Sequence, residues 1–103
     1  MKTVQIDKTL VLSTAHFTDD DNSILARFAR AHTDSPDSSA HFVIDFGYGY
    51  IVWVNSDGDF SEYAGKLSPA FICALRFAHK QKVEWVRFDR DANTVEGLPT
   101  FDW

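Results

Sequence analysis

Two groups of residues in this chain carry the means to do chemistry. The first is Ser13 and His16, with the run Asp19-Asp20-Asp21 close behind. A histidine at a strand end with nearby carboxylates is the raw material of an acid–base pair or a metal site. The pattern stops short of both. No third ligand follows at a recognisable spacing, and Ser13 lacks the flanking glycines that hold a nucleophile on a tight strand-to-helix turn. Cys73 is the only cysteine and falls mid-helix, where nothing activates it. His32 lies on an apolar helix stripe and reads as a satisfied core histidine, with His41 and His79 peripheral. The expectation is a protein with no catalytic residues, no metal and no cofactor. The second group is aromatic: Phe46-Gly47-Tyr48-Gly49-Tyr50-Ile51-Val52-Trp53 reads as a turn running into a strand, whose rings can stack on or anchor a partner.

Composition narrows the partners. The chain has 103 residues, 15 acidic and 10 basic, for a formal net charge of −5. That length fits one domain with a modest core. An acidic surface repels phosphate at long range and suits a basic protein partner. One cysteine excludes an intrachain disulfide. The N-terminus lacks the apolar run of a signal peptide, and no stretch approaches the roughly 20 apolar residues of a membrane span. A cytoplasmic, reduced protein that does not enter membranes is the reading.

The elements that must position these residues follow from periodicity. Residues 9–14 form a β-branched apolar strand, and Val4 and Ile6 suggest a short strand before it. Thr18 with Asp21 is a capping box opening a helix that ends near Thr33, its stripe made of Ile24, Leu25, Phe28, Ala31 and His32. A polar loop over 34–39 leads to a strand over 41–46, in which Phe42, Ile44 and Phe46 alternate with His41, Val43 and Asp45. Residues 47–49 turn into a central strand over 50–54, and 55–59 is a second turn. Residues 60–67 carry no clear signal. Ser68-Pro69 starts a second helix with Phe71, Ile72, Leu75 and Ala78 inward, and Cys73 and Phe77 toward the outside. A last strand covers 83–89, and the irregular tail over 90–103 is expected to pack back on a single domain, 1–103.

The order βαββαβ predicts an α+β fold of the split βαβ, ferredoxin-like kind. It is a two-layer sandwich with a four-stranded antiparallel sheet and both helices on one face. Its other face is the place to look for function.

Two resemblances bear on that function. Residues 46–53 resemble the aromatic signature of the RNA-recognition motif, with Phe46 where a basic residue is expected. The resemblance implies Tyr48 and Tyr50 on the open face beside Val52, stacking bases. More widely, Ser13-Thr14-Ala15-His16, Tyr48-Gly49-Tyr50, Phe88-Asp89-Arg90-Asp91 and Leu98-Pro99-Thr100-Phe101-Asp102-Trp103 resemble a family of small uncharacterised proteins carried on plasmids and other mobile elements of proteobacteria. That resemblance implies a mobile-element accessory protein, such as an anti-restriction or anti-CRISPR inhibitor of a bacterial defence complex.

The sequence therefore points to a small acidic protein-binding factor that occludes its partner without chemistry. Its expected contacts are Tyr48, Tyr50, Trp53 and Phe77, with Asp19, Asp20 and Asp21 facing a basic surface. A single-stranded RNA module using Tyr48 and Tyr50 is the second reading, and a homodimer is compatible with either.

Overall fold

The first helix starts where the capping chemistry places it. In the computed structural model, which describes residues 4–35 and 41–103, α1 spans Asp19–Asp34 behind the N-cap Thr18. The Thr18 hydroxyl accepts from the Asp21 amide at 3.1 Å, and the Asp21 carboxylate accepts from the Thr18 amide at 2.9 Å. The second helix, α2 (Pro69–Lys80), has Ser68 as N-cap and Pro69 at its first position. Asp21 joins the two helices: its carboxylate accepts from the Ser68 amide at 2.8 Å and from the Ser68 hydroxyl at 2.5 Å. One buried carboxylate thus holds both helix N-termini side by side, where the helix dipoles favour negative charge.

Four strands complete the fold: β1 (Thr9–Ser13), β2 (Val43–Asp45), β3 (Gly49–Trp53) and β4 (Trp85–Asp89). A 3₁₀ turn, Thr14–His16, links β1 to α1. The element order and the α+β class match the sequence-based expectation. The sheet does not. Its order is β1-β4-β3-β2, and β1 pairs with β4 in parallel, so the all-antiparallel ferredoxin-like sheet is incorrect. The reason lies in residues 54–68. This segment buries Phe60, Tyr63 and Leu67 and delivers Ser68 to Asp21, beside the end of β1. Helix α2 then runs back and finishes near Trp53 and Val54, with which His79 and Lys80 share a groove. The next strand begins where β3 ended. It therefore lies antiparallel against β3 and enters the sheet between β3 and β1.

The core forms between the helices and one sheet face. Leu12, Val43, Tyr50, Val52, Val86 and Phe88 meet Leu25 and Ala29 of α1 and Phe71, Leu75 and Ala78 of α2. Phe17 sits among the rings of Tyr50, Phe71 and Phe88, with centroid separations of 5.2–6.4 Å. Gly49 is demanded by packing: a Cβ there would lie 1.8 Å from the Phe88 carbonyl oxygen. Val4 and Ile6 are exposed and form no strand. The part of the expected loop at 36–39 lies outside the described residues. Among the described residues, no helix is long and apolar enough to cross a membrane.

Two predictions follow from this core. Asp21→Ala should lower the unfolding free energy in urea by about 3 kcal/mol, because it orphans the donors of both helix caps. Asp19→Ala, in the same turn but exposed, should cost only about 0.5 kcal/mol. The second concerns Tyr63, whose phenol burial pushes up to about 12, with a backbone hydrogen bond involving Phe42 opposing. Its folded pKa lies above the ordinary value, so its contribution is intact below the unfolded pKa and is lost as pH rises through the folded one. Stability should therefore fall by about 2–3 kcal/mol across that alkaline window. Tyr63→Phe should flatten this part of a pH series of urea unfolding curves.

Candidate protein-binding face and motif pocket

The sheet face away from the helices carries an aromatic row. The register places Thr9, Trp85 and Trp53 across β1, β4 and β3, and the Trp53 amide donates to the Phe42 carbonyl just before β2. Trp53 and Trp85 meet edge to face at 4.8 Å, and Phe42 meets Trp85 at 5.3 Å. The next row is Val11, Arg87, Ile51 and Ile44. Val11, Phe42 and Ile44 are 40%, 42% and 37% exposed, unusual for large apolar side chains collected on one sheet face. Arg87 is paired with Asp89 at 3.8 Å.

This arrangement corrects the expected strand register. Tyr50 and Val52 face the helices, not the open side. Tyr50 is 7% exposed, and its hydroxyl donates to the Asn22 carbonyl at 3.3 Å. Burial and the nearby Asp45 raise its pKa. The physical reason is that Gly49, expected in the turn, already pairs with Asp89, and alternation from that point turns Ile51 and Trp53 outward. In the strand before it, Val43 is the buried residue, while the more apolar set, Phe42 and Ile44, faces out. Tyr48 is exposed in the bend before β3. Phe77 is partly buried against the core, so the outward anchor expected there is not formed; Cys73 on the same helix is exposed.

The acidic run divides. Asp19 and Asp20 are exposed, but Asp21 is buried and committed to Thr18 and Ser68, so it cannot serve as a contact. The histidines also differ from expectation. His41 is buried, stacked on Phe28 at 3.8 Å, with Nε2 at 2.6 Å from the Glu62 carbonyl. His32 is half-buried against Phe42, and its Nδ1 has no hydrogen-bond partner. His79 is half-buried and meets the Ser56 carbonyl at 3.0 Å.

His16 is the most constrained of all. It is fully buried, its Nε2 accepts from the Val95 amide at 2.9 Å, and its Nδ1 lies 2.8 Å from the Pro99 carbonyl. Both ring nitrogens are therefore engaged, which fixes the Nδ1–H tautomer and leaves no lone pair for a metal or a substrate proton. The residue pins the tail instead. Further on, the Phe101 amide donates to the Ala15 carbonyl at 2.8 Å, and the Trp103 indole donates to the Phe17 carbonyl at 2.8 Å. Among the described residues, no group of three or more His, Cys, Asp or Glu side chains could hold a metal ion.

By pinning the tail, His16 helps build a pocket. A cavity of about 570 Å³ opens where β1 and β4 end, lined by Ser13, Thr14 and Ala15, by Tyr48, Gly49 and Tyr50, and by Phe101, Asp102 and Trp103. With Arg90, these come from all four of the short segments on which the wider resemblance rests, brought together from separate parts of the chain. Asn22, Asp45 and Arg90 complete the wall. Arg90 belongs to a segment of the resemblance, but sequence reasoning passed over Asn22 and Asp45 as site residues, and over Phe42, Ile44 and Trp85 on the open face. For Trp85 a signal was available, since the alternation in β4 sets it opposite Val86 and Phe88.

Fold and surface thus define an α+β domain with one sheet face left open and a polar pocket at the sheet end. Over residues 9–103 the chain matches the family described as "Family of unknown function (DUF5983) C-terminal domain", and it belongs to that family. No curated protein and no solved structure matches the chain.

The clamp predicts a specific failure. His16→Ala should cost about 2–4 kcal/mol, since it strands the Val95 amide and the Pro99 carbonyl. By hydrogen exchange, the Val95 amide and the Trp103 indole should lose protection far more than the amides of Val52 and Phe88. Uniform loss across all four sites would show that the tail is not held by this histidine.

Proposed function

We propose that this domain is a small acidic protein-binding module that docks through its open sheet face. The observation that carries the reading is the pair Trp53–Trp85, flanked by Ile44 and Val11, on the side of the sheet opposite both helices, with Phe42 meeting both Trp85 and His32 of α1. Clustered aromatics of this kind supply the central anchors of protein interfaces. The net charge of −5, with Asp19 and Asp20 exposed, favours a partner with a basic surface. The resemblance to mobile-element accessory proteins suggests what that partner is: a subunit of a bacterial defence complex, blocked by occlusion in an anti-restriction or anti-CRISPR role. Nothing in this mode of action calls for catalysis. Of the residues expected from sequence, Trp53 and Tyr48 keep a contact role here, joined by Phe42, Ile44 and Trp85.

Single-stranded RNA is the second reading, favoured by the same pair of tryptophans, which offer stacking surfaces. The acidic charge weighs against it.

The test is a comparison of capture from bacterial lysate by the wild-type chain, by Ile44→Glu/Trp53→Ser and by Asp19→Asn/Asp20→Asn, each with and without RNase. The expected result is an RNase-resistant protein whose retention falls at least about tenfold with the face variant, and which the aspartate variant holds less tightly at low salt. Material that vanishes with RNase would replace this reading with the RNA one. A doubled mass in light scattering that the face variant abolishes would make the occupant a second copy of the chain.

A further inference from the structure

We propose that the pocket at the end of β1 and β4 receives an arginine side chain presented by a protein partner. This deepens the protein-binding reading, and it rests on that reading only for the source of the arginine. What this pocket can bind depends on which of its hydrogen-bonding groups remain free. Several of the N–H donors around the pocket are already used. The Gly47 amide donates to Asp45 Oδ1 at 2.8 Å, the Ala15 amide to Ser13 Oγ at 3.0 Å, and the Arg90 amide to the Tyr48 carbonyl at 2.9 Å. The Phe101 amide and the Trp103 indole are also committed. Those five N–H groups are closed to an incoming anion.

The acceptors that remain free are carboxylate oxygens. The second oxygen of Asp45 and the whole carboxylate of Asp102 make no hydrogen bond or ion pair among the described residues. Both line the pocket, against a single cation, Arg90. Around them stand the rings of Tyr48, Phe101 and Trp103. Two unspent carboxylates within aromatic walls are complementary to a flat, donor-rich cation, and a guanidinium has five donors in one plane. The molecule already displays the contact in cis: the Arg90 guanidinium lies over the Tyr48 ring, 4.9 Å from its centroid. No carboxylate forms an ion pair with Arg90 among the described residues, so the aromatic face is its main partner. Arg90 is an exposed occupant that an incoming arginine displaces.

The experiment is a titration of the isotope-labelled chain with N-acetyl-arginine amide, followed by amide and indole chemical shifts. N-acetyl-citrulline amide serves as the neutral isostere. Saturable shifts are expected at Gly47, Tyr48, Gly49 and the Trp103 indole with arginine and not with citrulline. Asp102→Asn, whose side chain is exposed and makes no internal bond, should weaken binding severalfold, and Asp45→Asn/Asp102→Asn at least about tenfold. Arg90→Gln should tighten it, by vacating the Tyr48 ring. Equal binding of citrulline, shifts lying elsewhere, no shifts, or weakening by Arg90→Gln would each overturn the proposal. No partner protein enters the measurement, so its failure leaves the open-face docking standing, and the reverse also holds.

Discussion

The Asp21 carboxylate is the interaction on which the rest of this structure depends. It closes a capping box on its own helix and accepts from both the backbone and the hydroxyl of the residue that caps the other. A buried charge is tolerable only when its hydrogen-bonding capacity is filled, and here three donors, the Thr18 amide and the amide and hydroxyl of Ser68, fill it. The consequence is geometric. With both helix starts tied to one point, α1 and α2 run the same way over the same face of the sheet.

That constraint decides what the other face can be. The helices, the 54–68 segment and the tail all contribute to a single core on one side, from Leu12 and Phe17 to Phe60, Tyr63 and Leu98. On the opposite face Trp85 of β4 meets Trp53 of β3 and Phe42, just before β2, edge to face, and Phe42 also meets His32 of α1. An open face and an acidic helix start are two outcomes of the same tie. The aspartates beside Asp21 are left on the surface because only one of the run can be buried.

Local chemistry made much of the fold legible from sequence. Thr18, Asp21, Ser68 and Pro69 announce both helix starts through capping rules that involve only near neighbours. Strand pairing was not legible, because it depends on the path of residues 54–68, whose Phe60, Tyr63 and Leu67 are spaced neither as strand nor as long helix. The open-face residues were misread by one position for a related reason. The choice between Tyr50 and Ile51 depends on whether Gly49 belongs to the turn or to the strand, and what decides it is the close approach of the Phe88 carbonyl from a strand distant in sequence. The short segments that converge on the pocket were visible individually. Their meeting was not, since it rests on His16 reaching across the chain to Val95 and Pro99.

The pairing of the first strand with the last also governs how the chain reaches this state. Lys8 bonds Glu84 across 76 residues, His16 bonds Val95 and Pro99 across 79 and 83, and Trp103 reaches Phe17 across 86. Contacts of such separation require large loops to close before they return any stability, and chains dominated by them fold slowly. During synthesis β1 must wait, its Leu10 and Leu12 uncovered, until β4 has been made, while β2 and β3 can pair early as a hairpin. Until β4 has been made, the edge of β1 that it covers is open to mispairing with other chains.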